Sequence, residues 1–345
     1  MNQSSLELHR TLTTKIIKDY FLGESISNLT ISKWNILDYS SVFSIENMDS
    51  KGIFVKVPKS NVEYDGVIPL LDKDIQMGKD EYDSLSYLSE KWMGNVRFVK
   101  ALEYYPKYNA IITEKVYGYD LFLLLKKNDL WGRLVPSKLK KNNEIFSLIK
   151  KSLDDYHIAS LAHENFRVKS DLDKIIRMTN KLSPYIKRKY YYTLLDKISK
   201  YEDNGRVLQY CQSLKGLDIR NFLIDNKDRI TILDPGKRKS EPRVANISRL
   251  FVTCQIMYWG SMWFFLRLSP SGVSLKSLLD RSNLNNDEIR ILNLLIIKEY
   301  LKHWIMANNA LDKKKWAFFI KFFLQRFYIG AFYNKIIKLH LKELN

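Results

Sequence analysis

Four polar side chains in this sequence combine types and spacings suited to handling a phosphate group. Lys56 sits inside the apolar run IFVKV, where an isolated ammonium can point into a cleft. Glu81 opens the segment EYDSLSYL and can pair with that ammonium, aiming it at phosphate. Asn221 immediately precedes the apolar fragment FLI, and Asp234 immediately follows ITIL. Asn226-Lys227-Asp228 between the fragments supplies turn-forming residues, so a hairpin would carry the Asn221 amide and the Asp234 carboxylate to one edge. Two oxygen donors suit magnesium, and transfer of a phosphoryl group needs both a cation on the phosphates and such ligands. Each residue also has a plainer reading. A lysine in a basic chain usually faces solvent, Asp234-Pro235-Gly236 can be an ordinary turn, and Asn221 can be a cap. Their order and spacing together carry the argument.

The elements that must position them follow from periodicity. SVFSIENM and GIFVKVPK read as two strands around a turn at Asp49-Ser50-Lys51-Gly52. A helix is expected near 79–92, with Tyr82, Leu85 and Leu88 on one face. VRFVKALEYY and NAIITEKVYG read as two further strands. Beyond Gly118 the pattern turns helical, with DLFLLLKK, a longer candidate over IFSLIKKSLDDYHIASLAHE, and later candidates at 245–267, 287–306 and 313–339. The expected organisation is an N-terminal helical extension over 1–30, a strand-rich lobe over 31–118, and a helical lobe over 119–345 containing the hairpin at 216–236. The fold class is α+β, in two lobes.

The chain has 345 residues, 46% of them hydrophobic, and 56 Lys plus Arg against 38 Asp plus Glu, a formal charge of +18. That excess favours a phosphate-rich partner, whether nucleotide, nucleic acid or anionic membrane. Cys211 and Cys254 follow no ligand-like spacing, so neither a disulfide framework nor a zinc site is indicated. The N-terminal segment lacks the pattern of a signal peptide, and a cytoplasmic location is expected. The charge-free stretch between Arg249 and Arg267 is slightly short for a spanning helix and reads as a buried helix, with membrane contact as the alternative. His157 and His163 have no carboxylate or cysteine partner at ligand spacing.

With these segments in place, the sequence resembles the protein-kinase-like superfamily, most closely its aminoglycoside and choline phosphotransferase branch, over roughly residues 35–260. The resemblance implies ATP and Mg2+ as cofactors. Lys56 is similar to the phosphate-binding strand lysine and Glu81 to its helix partner. ITEKVYGYDLFLLL resembles the linker beside the adenine, with Gly118 allowing its turn. YHIASLAH resembles the long helix behind the catalytic loop. GLDIRNFLID resembles the catalytic loop itself, with Asn221 as metal ligand, and Asp234-Pro235-Gly236 resembles the metal motif. The departures are equally specific. The catalytic aspartate of this superfamily lies five residues before the asparagine, and Gly216 stands there. Asp218 is the substitute candidate for orienting an acceptor, or else it caps or braces the loop. No glycine-rich nucleotide loop is present. The corresponding turn is expected near Tyr39-Ser40-Ser41, where Ser40 and Ser41 would contact phosphate. No Ala-Pro-Glu segment follows the metal motif.

The resemblance therefore implies an ATP-dependent phosphotransferase acting on a hydroxyl-bearing small molecule, sugar, glycan or lipid-linked acceptor. The alternative is a catalytically inactive kinase-like nucleotide-binding or scaffold protein. Residues 313–339 combine seven Lys or Arg with aromatics at helical intervals, either packed on the large lobe or peripheral at the inner face of an anionic membrane. No zinc finger, RNA-binding strand motif or helix-turn-helix supports nucleic acid as the partner.

Overall fold

The structure is a computed structural model, and it describes residues 3–37, 40–49, 51–59, 72–90, 92–93, 95–131, 135–159, 162–165, 169–200, 207–259, 278–279, 284–342 and 344. The chain forms two compact units, Met1–Leu124 with Leu214–Arg238, and Leu125–Ser213 with Lys239–Asn345. The sequence reading placed the boundary at Gly118 and the 216–236 hairpin after it. The contacts of the hairpin instead group it with the N-terminal strands.

In the first unit, an antiparallel sheet runs β1 (Leu29–Ile31), β3 (Ser40–Asn47), β4 (Gly52–Pro58), β8 (Ala110–Glu114), β7 (Ala101–Tyr105), with β2 (Asn35–Ile36) also pairing β3. Strand alternation gives it two distinct faces. Phe43, Ile45, Ile53, Val55, Val57, Ala110 and Ile112 point to one face, where α1 (Gln3–Tyr20) covers them with Leu8, Leu12 and Ile16. These three helix residues recur every four positions, so one apolar stripe meets the sheet. Leu12 and Ile16 are completely buried, and each such burial stabilises by about 1.5–3 kcal/mol. The opposite face carries Ser44, Phe54, Lys56, Ile111 and Thr113, beside α2 (Asp72–Ser89).

A second sheet of the same unit runs β5 (Trp92–Met93), β6 (Val96–Phe98), β13 (Ile230–Ile232), β12 (Phe222–Ile224), β9 (Tyr119–Asp120). The expected hairpin is therefore present as β12 and β13, in register Phe222↔Ile232 and Ile224↔Ile230. Its turn is held by the Asp225 carboxylate, which accepts from the Lys227 and Arg229 amides at 2.8 and 3.0 Å. Asp228 takes φ 57 there, a conformation that aspartate tolerates better than most residues. β13 runs parallel to β6, which fixes the hairpin to strand material far upstream in the chain.

The second unit is mainly helical, and the two-lobed α+β expectation holds. Its described helices are α3 (Leu121–Trp131, begun in the first unit), α4 (Pro136–Ala159), α5 (Lys169–Lys181), α6 (Arg188–Ser199), α7 (Val244–Trp259), α8 (Asn286–Asp312), α9 (Phe318–Phe323) and α10 (Gly330–Leu341). α8 starts with a capping box between Asn285 and Glu288 and packs through Leu292, Leu295, Ile296 and Trp304, all buried. Two expectations are corrected. Helix was expected through residue 164, but α4 ends at Ala159 and Ala162–Asn165 forms β10, paired with β11 (Val207–Leu214). Strand pairing with β11 satisfies those backbone groups in place of helix. The 313–339 helix is interrupted: Lys313–Ala317 lie outside helix, and α9 joins α10 through a π-helical turn, Leu324–Ile329. The apolar stretch after Arg249 begins, as expected, as a buried part of a helix, α7, and its residues 260–267 lie outside the described residues. Cys211 and Cys254 are buried and form no disulfide, and burial pushes the Cys211 thiol up to about 12. Buried His157 meets Asn246 at 3.0 Å, and burial lowers it to about 3, so it packs as a neutral ring; the His163 side chain lies outside the described residues.

Candidate functional site

All six residues expected at the site, and Asp218, belong to the first unit. Lys56 projects from the centre of β4 on the face away from α1, and its Nζ donates to Glu81 Oε1 at 2.5 Å and to Asp234 Oδ2 at 2.7 Å. The structure thus joins three residues from a strand, a helix and the segment after the hairpin. Burial by itself would lower the Lys56 ammonium, but the Asp234 and Glu81 carboxylates outweigh it and raise it. Burial pushes the Glu81 carboxyl up to about 7, with the Asp234 charge adding to the shift and Lys56 opposing it. Two carboxylates share one ammonium, so the ionised triad carries one excess negative charge, an arrangement that a divalent cation relieves.

Asn221 closes the other side. It ends a short 3-10 turn, Ile219–Asn221, and its Nδ2 donates to the carbonyls of Gly216 at 3.0 Å and Asp234 at 3.2 Å. Those bonds fix the amide's orientation and leave Oδ1 without a hydrogen-bond partner among the described residues. The Asp234 side chain is 36% exposed, and its Oδ1 accepts from the Gly236 amide at 3.2 Å. An orientated, unused amide oxygen beside a partly exposed carboxylate fits magnesium, which takes few protein ligands and completes its shell with water and phosphate. Among the described residues no cluster of three His, Cys, Asp or Glu could hold a metal without such help.

The remaining expected residues are placed differently. Ser40 and Ser41 are not in an exposed turn. Both are buried within β3, paired with Pro58 and Val57. Ser41 shares the face of Val57, Phe43 and Ile45, toward α1 and opposite Lys56, and its hydroxyl has no hydrogen-bond partner among the described residues. Tyr39 lies outside the described residues. Ser44, three positions on and across from Phe54, has the parity that lines the cavity. Asp218 caps the 3-10 turn by accepting from the Arg220 amide at 3.0 Å. Both its oxygens are also engaged by the Arg220 guanidinium, at 2.9 and 2.6 Å. Of the readings open for Asp218, this geometry is the loop brace.

Gly216 has a definite steric reason. A Cβ there would lie 2.6 Å from the Asp234 carbonyl oxygen and 2.8 Å from the Gly236 amide nitrogen. The Gly216 amide donates to the Pro235 carbonyl at 2.8 Å, and Gly236 adopts φ +64, the left-handed region that glycine occupies without penalty. Main chain of the Asp-Pro-Gly segment therefore fills the space that a side chain at 216 would need. Gly118 is likewise explained by close approach rather than by turning: a Cβ there would come within 2.8 Å of the Ile224 carbonyl.

Two further devices hold the triad. Asn109, wholly buried with φ 48, donates from Nδ2 to the carbonyls of Pro58 and Asp74 at 3.1 and 2.9 Å and accepts from Tyr104 at 2.8 Å. It ties the end of β4, carrying Lys56, to the start of α2, carrying Glu81. Gly78 in α2 makes room, since a Cβ there would collide with the Asn109 amide. Beyond Asp234, Lys237 pairs with Asp80, and the Arg238 guanidinium lies 4.0 Å over the Tyr87 ring. Both anchors are on α2, so the segment after Asp234-Pro235-Gly236 is fastened to the helix bearing Glu81.

Beside Lys56 and Glu81 is a cavity of about 250 Å³ whose apolar walls include Phe54, Leu85, Val99, Ile111, Leu223 and Leu233. Ser44, Thr113 and the chain at Glu114–Val116 complete it. Arg97 holds Glu114 at 2.6 Å. A mostly apolar cavity with an ammonium in its wall suits a heteroaromatic ring attached to an anion. Sequence reasoning missed Ser44, Phe54, Leu223 and Leu233. The available signal was parity: Phe54 lies two positions from Lys56 on the same strand face, and Leu223 and Leu233 belong to the hairpin itself.

No protein-family model matches the sequence, and no curated protein matches it. Solved structures do match in fold. A choline kinase from Cryptosporidium parvum is 12% identical with TM-score 0.53, over 97% of this chain and 94% of that one. An ethanolamine kinase from Plasmodium vivax is 14% identical with TM-score 0.51, over 99% and 89%. An aminoglycoside phosphotransferase, solved as a ternary complex with AMP-PNP and hygromycin B, is 11% identical with TM-score 0.53, over 96% and 98%. The chain therefore has the two-lobed fold of choline and aminoglycoside phosphotransferase-like kinases along nearly its whole length.

Proposed function

We propose that this protein is an ATP-dependent phosphotransferase acting on the hydroxyl group of a small molecule, sugar or lipid-linked acceptor. The observation that carries the reading is the Lys56–Glu81–Asp234 triad beside the mostly apolar cavity. In it, Lys56 neutralises nucleotide phosphates, Glu81 holds Lys56 in place, and the cavity takes the purine. Asn221 Oδ1 and Asp234 would hold Mg2+, which supplies charge neutralisation on the transferring group. Phosphoryl transfer through a loose transition state depends mostly on positioning and charge stabilisation, so the glycine at position 216 does not by itself abolish it. The named ligands of the structurally similar proteins, choline, ethanolamine and aminoglycosides among them, define the first acceptors to try.

The test is thermal stabilisation of the purified chain by AMP-PNP with Mg2+, followed by transfer from radiolabelled ATP to an acceptor panel. Saturable stabilisation that requires Mg2+ and is lost in Lys56→Ala and Asp234→Asn, with label appearing on one acceptor, supports the reading; no stabilisation at millimolar nucleotide would refute it.

One observation favours a second reading, an inactive nucleotide-binding homologue. The 216 position is packed against main chain, and Asp218 is held on both oxygens by Arg220. Mg2+-dependent binding with neither acceptor phosphorylation nor ADP release would select it.

A further inference from the structure

The segment that interrupts the C-terminal helix presents an unusual surface. Trp316, Phe318, Phe319, Phe322, Phe323 and Phe327 are all exposed, Phe318 by 82% and Phe319 by 72%. The five phenylalanines, with Arg326, form two adjacent rows at i, i+4 spacing. Phe319, Phe323 and Phe327 make one, and Phe318, Phe322 and Arg326 the other. Phe318 stacks on Phe322 at 6.4 Å, Phe323 lies 5.2 Å from Phe327, and the Arg326 guanidinium sits 5.8 Å over Phe322. The rings thus pack on one another along the surface instead of into the core. The inward side of the turn is polar, with buried Gln325 donating to the Asp312 carboxylate at 2.7 Å.

Charge accompanies this apolar face. Lys313, Lys314 and Lys315 are exposed just before α9, Arg326 lies within the second row, and no Asp or Glu occurs from 313 to 342, while half-buried Lys321 donates to the Asp312 carbonyl at 2.9 Å. Soluble surfaces rarely carry a contiguous aromatic patch without a partner. A second copy meeting the same face would set these cations against their own kind, and nothing acidic in the segment compensates. A bilayer with anionic headgroups satisfies both components, because rings enter the interfacial region while Lys and Arg extend to phosphate. The twelve residues of α9 and the π turn span ~18 Å, short of the ~30 Å hydrocarbon core, and no helix among the described residues is long and apolar enough to cross a membrane. The geometry is that of lying on a membrane.

We infer that residues 313–328 form a peripheral docking face for an anionic lipid bilayer, with the phenylalanine rows in the interface and Lys313–Lys315 on the headgroups.

The test is flotation of the purified full chain with vesicles of phosphatidylcholine alone and of phosphatidylcholine mixed with phosphatidylglycerol, at low and high salt. The expected result is binding to the anionic vesicles only, weakened by salt. The triple variant Phe318→Ser, Phe319→Ser, Phe323→Ser should lose roughly tenfold or more in affinity with an unchanged melting temperature, because all three rings are solvent-exposed. Lys313→Gln, Lys314→Gln, Lys315→Gln should flatten the salt dependence. No flotation with anionic vesicles, or equal flotation by wild type and the phenylalanine variant, overturns the inference. Concentration-dependent dimers that the phenylalanine substitutions abolish, without vesicle binding, also overturn it and assign the face to a second copy.

Discussion

At the scale of single residues, the candidate site is governed by one ammonium between two carboxylates. Lys56→Ala leaves Glu81 and Asp234 facing each other without a counter-charge. Removing one partner of such a buried arrangement costs on the order of 3 kcal/mol, and nucleotide affinity should fall with it, measurable by calorimetric titration with AMP-PNP and Mg2+. Glu81 adds a pH signature. Its carboxyl is pushed by burial from 4.5 to about 7, so the folded state binds a proton that the unfolded state has released between those values. That contribution to stability is fully present below the unfolded pKa and is lost as pH rises through the folded one. Relative to Glu81→Gln, which does not titrate, wild-type stability should fall across this window by at most ~1.4 kcal/mol per pH unit. Denaturant melts at several pH values check this, and a constant difference would exclude it. Gly216→Asp, the change that would write the usual base into the loop, should yield no gain in transfer. Its Cβ meets main chain at 2.6 and 2.8 Å, and overpacking of this kind costs about 1–3 kcal/mol, read as a lowered melting temperature.

At the scale of elements, the site depends on how a strand, a helix and a hairpin are fastened. Asn109 is the fastener between β4 and α2, serving Pro58, Asp74 and Tyr104 at once. Asn109→Ala leaves two buried carbonyls without this donor and should cost about 2 kcal/mol or more. Because the lost bonds join the element carrying Lys56 to the one carrying Glu81, nucleotide affinity should weaken as well. A surface substitution of equal destabilisation, used as control, should leave affinity unchanged. The hairpin was legible in sequence because a turn cluster between two apolar fragments is a local signal. Its parallel pairing with β6 was not, since nothing local in ITI specifies Val96–Phe98 as neighbour.

At the scale of the whole molecule, every residue of the candidate nucleotide site belongs to one compact unit, built from Met1–Leu124 and Leu214–Arg238. Binding of AMP-PNP with Mg2+ should therefore slow hydrogen exchange chiefly in β4, α2, β8 and the hairpin. Protection confined to the second unit would place the nucleotide elsewhere. The formal charge of +18 adds a general attraction for anions that salt screens, so nucleotide affinity should decline moderately as ionic strength rises.

The sequence by itself determined the polar residue types, the strand around Lys56, the helix bearing Glu81 and the hairpin between Asn221 and Asp234. These are set by periodicities and turn residues acting over a few positions. Tertiary structure alone decided which faces those elements present. Lys56 and Asp234 meet across 178 residues of chain, and no local pattern encodes that distance. Sheet register and the α1 cover turned Ser41 away from Lys56 and Ser44 toward the cavity. Close main-chain approach gave Gly216 its steric reason, and the short reach of Arg220 back to Asp218 tied up the carboxylate that the sequence left open. For the C-terminal aromatics, composition was the same whether they were buried or exposed. Only the packing of the neighbouring helices, which enclosed Gln325 and left the phenylalanine rows outside, separated the two.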